Sequence, residues 1–255
     1  MRVDLNSDIG ESFGRYTLGM DERIIPLVSS VNAACGFHAA DPCVMEKTVE
    51  RAAVAGAAVG AHPGFPDLMG FGRRNMQLSP AEAKAYVLYQ LGALDAFLRV
   101  RGQRMQHVKP HGALYNMAAK DPVLARAICE AVLAFDRELI VLALFGGALY
   151  QTAKELGLRT ASEVFADRAY EADGTLVPRS KPGAMLTDET LAIARVVRMV
   201  TEGRLTAVDG QDIPIRADSI CVHGDGEKAL LFVERIRAAL ERKGVEICPL
   251  REMAL

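Results

Sequence analysis

VKPHGALYN, Val108 to Asn116, decides how the chain reads. An apolar strand end delivers Lys109, Pro110 and His111. Gly112 lets the backbone turn, and Ala113 to Met117 reads as the first turn of a helix. A cation and an imidazole two residues apart at such a turn can hold an anion and move a proton. Four other strand-to-helix turns repeat the design: DLNSDIGE (4–11), NAACGFHAADP (32–42), GAHPGFPD (60–67) and CVHGDGE (221–227). Four of the five histidines, His38, His62, His111 and His223, fall in these turns.

Outward from the turns, strands are expected at Val3–Leu5, Ser29–Ala34, Ala57–Ala61, up to Lys109, and at Leu139–Leu144, Arg159–Val164 and Ser219–His223. Asn6 to Tyr16 reads as a polar loop, and Asp21 begins a short helix. Asp41-Pro42 starts a longer helix, with Asp as N-cap and Pro at its first position, and Gly56 closes it. Ser79-Pro80-Ala81-Glu82 is a capping box. The helix after it carries Val87, Leu91, Leu94 and Leu98 on one face and ends near Gly102. Asp121-Pro122 starts another, with Leu124, Ile128 and Val132 aligned. Further helices are expected over 146–156, from Thr187 or Asp188 to about Glu202, and over 227–243. Asp209-Gly210 marks a hairpin within 204–215. Residues 165–186 show no period, and loops of that length are usually functional or mobile.

Strand–helix alternation means a parallel sheet with right-handed crossovers. About seven such units favour a closed or nearly closed (β/α) barrel, TIM-like, formed by a single domain over residues 1–255.

Half of the residues are hydrophobic, 24% are charged and the formal net charge is −2, which suits a globular protein and indicates no nucleic-acid partner. No apolar run reaches the roughly 18 residues of a membrane span. MRVDLN opens directly on a strand pattern, and the five cysteines show no CxxC spacing, so a cytoplasmic location is expected. Cys35 adjoins a candidate site, but no base stands at a paired spacing. No GxxxxGK[ST] occurs.

In such a barrel the strand C-terminal ends form the functional face. The first unit brings Asp4, Asn6, Asp8 and Glu11 there, and the second Asn32 and His38. The next two bring His62, Asp67, Lys109 and His111; later ones bring Glu163, Asp167, Arg168, His223 and Asp225. Two chemistries stay open. One is a divalent metal on Asp8, His38 and His62, with an open position for water. The other is metal-free: a carboxylate or histidine acts as base on water while Lys109 and an arginine stabilise negative charge. Arg73 and Arg74 in GFGRRN, and Arg179 in LVPRSKPGA, are candidate clamps for a small carboxylate.

Together the five turns, GFGRR (70–74), EVFADRAY (163–170) and LVPRSKPGA (176–184) resemble the LamB/YcsF family along nearly the whole chain. One departure is small: the family usually has Gly where this chain has Ala40. The resemblance implies a seven-stranded barrel similar to the glycoside hydrolase/deacetylase superfamily. It implies cleavage of 5-oxo-L-proline to L-glutamate coupled to ATP hydrolysis, with ATP shared with or bound by partner subunits B and C of a 5-oxoprolinase. On that basis Asp8, Lys109, His111, Glu163, Asp167 and His223 are expected in catalysis. Asn6, Asn32, Arg73, Arg74, Arg168, Arg179 and Asp225 are expected to bind substrate. Asp8 or His111 would position water, Lys109 would meet a phosphorylated lactam oxygen, and Arg73 or Arg179 would hold the carboxylate. The rival readings are a metal-dependent carbohydrate deacetylase or amidohydrolase, and a non-catalytic subunit that binds a small acid. The density of titratable groups in the turns weighs against the last. Whether the chain forms a homo-oligomer is left open.

Overall fold

Four of the turns picked out above lie where a barrel strand ends, and the fifth, CVHGDGE, falls largely outside the described residues. A computed structural model describes residues 1–222 and 227–255. The barrel strands are β1 (Arg2–Ile9), β2 (Ser30–Ala34), β3 (Ala58–His62), β4 (His107–Val108), β5 (Ile140–Leu144) and β6 (Thr160–Phe165). An antiparallel hairpin, β7 (Arg204–Thr206) and β8 (Asp212–Pro214), precedes the last barrel strand, β9 (Ser219–Cys221). The order β1-β2-β3-β4-β5-β6-β9 is parallel throughout, and β9 pairs with β1 to close a seven-stranded barrel. A short β10 (Glu246–Ile247), which the sequence reading did not anticipate, pairs with the start of β1.

The helices are α1 (Asp21–Ile24), α2 (Pro42–Ala55), α3 (Pro80–Val100), α4 (Gly112–Ala118), α5 (Pro122–Phe135), α6 (Ala148–Glu155), α7 (Glu189–Glu202) and α8 (Glu227–Arg242). Their ends follow from local chemistry. The Asp41, Asp121 and Asp188 carboxylates each accept two backbone N–H groups that the first helical turn leaves unpaired. Both bonds of the Ser79–Glu82 capping box form at α3. The Val87–Leu98 stripe of α3 and the Leu124–Val132 stripe of α5 are buried in one core that runs between helices and barrel. Among the described residues, no helix is long and apolar enough to cross a membrane.

Two expectations change. Strand β1 continues through Asn6 and Asp8 to Ile9, where the sequence suggested a loop from Asn6. Polar residues look loop-like on paper, but here they face a barrel interior that satisfies them by hydrogen bonding. Residues 165–186 carry no helix, yet they are pinned down. Bridges join Arg168 to Met185 and Tyr170 to Leu176, and Tyr170 and Val177 are buried. The Phe165 N–H donates to the Tyr170 hydroxyl at 2.9 Å, and Arg195 of α7 lies over the Tyr170 ring at 5.1 Å. The segment forms a cover beside the strand ends.

Candidate active site

Lys109, just past β4, sits at the floor of the site. Its Nζ lies 2.8 Å from Asp8 Oδ1 and 2.7 Å from Glu163 Oε1, and it is buried. Burial opposes its charge, but the nearby carboxylates outweigh that, and its pKa moves well above the ordinary lysine value. It is therefore a fixed cation.

Below it runs a buried polar column. Asn32 Nδ2 donates to Asn6 Oδ1 at 2.7 Å and to Asp8 Oδ1 at 2.8 Å. Asn32 Oδ1 accepts from His107 Nε2 at 2.6 Å, and Gln106 Nε2 donates to His107 Nδ1 at 3.1 Å. Burial, reinforced by Lys109, pushes His107 down to about 3, so it is a neutral imidazole with one defined tautomer. Gly60 makes room for it: a Cβ there would stand 2.1 Å from His107 Nε2. Deeper still, the Asp4 carboxylate accepts from the hydroxyls of Ser29 (2.7 Å), Ser30 (2.5 Å) and Ser219. Burial raises Asp4 to about 6 in spite of these bonds.

On the other side of Asp8 three imidazoles converge. His62 Nδ1 is 2.8 Å from the Lys109 carbonyl oxygen, and His111 Nε2 is 2.8 Å from that of Phe71. Their remaining nitrogens face each other at 2.9 Å, and that of His62 is also 3.3 Å from Asp8 Oδ2. His38 stacks on His111 with ring centroids 3.7 Å apart and planes 5° from parallel. Glu11 Oε1 is 3.4 Å from His38 Nε2 and 3.6 Å from His111 Nδ1. Burial, with further depression from the neighbouring histidines, pushes His38 and His111 well below the usual imidazole range. Phe71 holds its carbonyl towards His111 at a φ of 53°, a left-handed conformation costly for an aromatic residue.

Above these groups opens a cleft of about 1040 Å³. Asp8, Glu11, His62, Lys109 and His111 line its floor, and Arg73, Arg168 and Arg179 line its walls. Arg168 is buried and donates from Nη2 to the Val177 carbonyl at 2.6 Å, which ties the 165–186 cover to the cleft. The site can therefore hold a small anion against fixed cations, with carboxylates and neutral imidazoles poised above Lys109 to handle protons.

Several expected site residues take other places. Asn6, Asn32 and Glu163 are fully buried beneath the floor, where they contact Asp8 and Lys109, and they do not line the cleft. Arg74 turns away from the cleft and pairs with Asp67, whose carboxyl its hydrogen bonds hold down at about 2. Asp167 does not line the cleft; it supports the buried Arg168 and Arg195 charges. Burial pushes the Cys35 thiol up to about 12, which removes it as a nucleophile. His223 and Asp225 lie outside the described residues.

Of the expected metal trio, His38 and His62 group with Glu11 and His111, and Asp8 Oδ2 stands 3.3 Å from His62. Asp8 Oδ1 is already engaged by Lys109 and Asn32, and the donors that converge are Glu11, His38, His62 and His111, all within 4.8 Å of one another. Sequence reasoning missed His107 altogether. Strand alternation could have found it, since it puts His107 and Lys109 on the same side of β4.

A profile described as the LamB/YcsF family matches residues 3–255. The chain is 61% identical to a protein from Clostridium beijerinckii named as the A subunit of 5-oxoprolinase, over 99% of both chains. It superposes on the crystal structure of the lactam utilization protein from Thermus thermophilus with a TM-score of 0.92, at 50% identity, covering 97% of this chain and 99% of that one. A T48 deacetylase, 13% identical, shares the barrel fold alone at a TM-score of 0.51, with 98% of this chain and 89% of that chain covered.

Proposed function

The chain belongs to the LamB/YcsF family, and from that premise we propose that it is the A subunit of a 5-oxoprolinase, which opens the lactam of 5-oxo-L-proline to L-glutamate. It works as part of a multi-subunit enzyme with partner subunits B and C, in the cytoplasm, and uses ATP as co-substrate. The observation that carries this reading is Lys109 fixed between Asp8 and Glu163 at the base of an arginine-walled cleft.

A five-membered lactam is a poor electrophile because its nitrogen donates into the carbonyl. Transfer of a phosphoryl group from ATP to the lactam oxygen gives an imidate phosphate. Water adds to its ring carbon, the C–N bond breaks with a proton delivered to nitrogen, and a second water hydrolyses the acyl phosphate to glutamate and phosphate. In this scheme Lys109 offsets charge on the lactam oxygen. Asp8, at the cleft floor, is the general base on water. Arg73 or Arg179 holds the substrate carboxylate. The cleft is larger than the small lactam needs, which supports a second ligand or a partner segment sharing it.

The test is 5-oxoproline-dependent release of phosphate and glutamate by this chain with its B and C partners, each component omitted in turn. Coupled release that stops when this chain is omitted is the expected result. A folded, assembled mixture that releases neither overturns the proposal. The histidine cluster favours one second reading, a metal-dependent amidohydrolase or deacetylase, which hydrolysis of N-acetylated sugars without ATP would support.

A further inference from the structure

The pair His62–His111 poses a specific problem of protons. Each ring has one nitrogen against a backbone carbonyl, at 2.8 Å in both cases. A carbonyl oxygen only accepts, so a ring that carries one proton holds it on that side. This leaves the lone pairs of His62 Nε2 and His111 Nδ1 pointing at one another across 2.9 Å. Two acceptors at that distance repel unless something electrophilic lies between them.

Further donors aim at the same place. Glu11 Oε1 lies 3.6 Å from His111 Nδ1 and 3.4 Å from His38 Nε2. His38 is fully buried, and neither of its ring nitrogens has a hydrogen-bond partner. Its ring fits only because Gly64 lacks a side chain: a Cβ there would come within 2.6 Å of His38 Nδ1. Donors about 2.0–2.1 Å from a common ion stand roughly 2.9–3.4 Å apart at right to tetrahedral angles. His62–His111, Glu11–His38 and Glu11–His111 stand 2.9, 3.4 and 3.6 Å apart, near such a shell, and all four donors lie within 4.8 Å of one another. The carbonyls behind His62 and His111 are the outer partners that fix metal-binding imidazoles.

We propose that Glu11, His38, His62 and His111 bind one divalent transition-metal ion. His62, His111 and Glu11 supply three ligands after small side-chain adjustments. His38, parallel to His111, turns about its Cβ–Cγ bond to supply the fourth. Three nitrogens and one carboxylate suit zinc, cobalt or nickel, and disfavour magnesium and calcium, which take oxygen shells. Three of the four residues line the cleft, so the ion would sit at its floor.

The full chain, stripped with a chelator, is equilibrated with zinc or cobalt at micromolar free concentration. Bound zinc is measured by mass spectrometry, and the cobalt complex by its visible ligand-field absorption. The expected result is about one ion per chain and a four-coordinate cobalt spectrum, with affinity weakened roughly tenfold or more in Glu11→Gln and in His111→Asn. Glu11 is partly exposed in a loop, so Glu11→Gln keeps the test valid if the histidine variant fails to fold. His107→Gln, in the separate buried column, should bind as the parent does. No retained ion, or equal retention by Glu11→Gln, overturns the proposal. So does nitrogen NMR showing a single proton shared between His62 and His111 that added zinc does not displace. Metal content is read independently of turnover, so this proposal and the 5-oxoprolinase reading fail separately.

Discussion

Lys109 Nζ lies 2.8 Å from Asp8 Oδ1, across 101 residues of sequence, and on its other side it meets Glu163 at 2.7 Å. Removing this cation leaves two carboxylates at the barrel mouth without their partner. Lys109→Met should destabilise the fold by about 3–5 kcal/mol and abolish turnover. Adding Glu163→Gln to that variant should restore part of the stability and none of the activity. Denaturant titrations of the single and double variants check this.

Gly60 and His107 are coupled by space. Gly60→Ala drives a methyl into the imidazole and should cost about 3 kcal/mol. His107→Ala frees that space but leaves Asn32 Oδ1 without its donor, a cost of about 1–3 kcal/mol. The double variant should be more stable than the sum of the two effects predicts, by about 1 kcal/mol or more. A double-mutant cycle measures the difference.

Ala40 has a φ of 70°, the left-handed conformation in which glycine is at ease. Ala40→Gly should nonetheless change stability by less than about 1 kcal/mol. Relief of about 1–2 kcal/mol of backbone strain is offset by about 0.8 kcal/mol of lost methyl burial and by a floppier unfolded chain. Ala40→Val should cost about 2–4 kcal/mol, because a β-branched side chain at positive φ in a buried site adds strain to overpacking. Shifts in the urea midpoint at constant slope distinguish the two.

The Asp4 carboxyl, raised by burial to about 6 from its ordinary 3.8, makes stability depend on pH. The folded state holds this proton more tightly than the unfolded state. Its contribution is therefore complete below about pH 4 and is lost as pH rises through about 6, roughly 3 kcal/mol in all. Asp4→Asn, which cannot titrate, should lose that slope between pH 4 and 6. Unfolding free energies of the two proteins across this window provide the comparison.

Arg168 and Arg179 both face the cleft, but one is buried and the other exposed. Arg179→Ala should raise KM for 5-oxoproline about tenfold to a hundredfold with little change in kcat or melting temperature. Arg168→Ala also removes the tie to Val177 and should lower the melting temperature as well.

The barrel was legible along the chain, since hydrophobic period and helix caps are local signals. The Asp41, Ser79, Asp121 and Asp188 caps all formed at the positions their chemistry indicated. The functional face was legible too, because a parallel barrel delivers every βα turn to one end. Which side chain does what within that face came from closure of the barrel. Arg73 and Arg74 are neighbours in sequence, yet one lines the cleft and the other pairs with Asp67. Asn6 and Asn32 read as substrate-binding candidates and His107 as no candidate at all, until the closed barrel brought them into one hydrogen-bonded column beneath Asp8. The three imidazoles around Glu11 come from three different strand ends. Their separations are set by barrel closure and by carbonyls of Lys109 and Phe71, a through-space geometry that no spacing along the chain encodes.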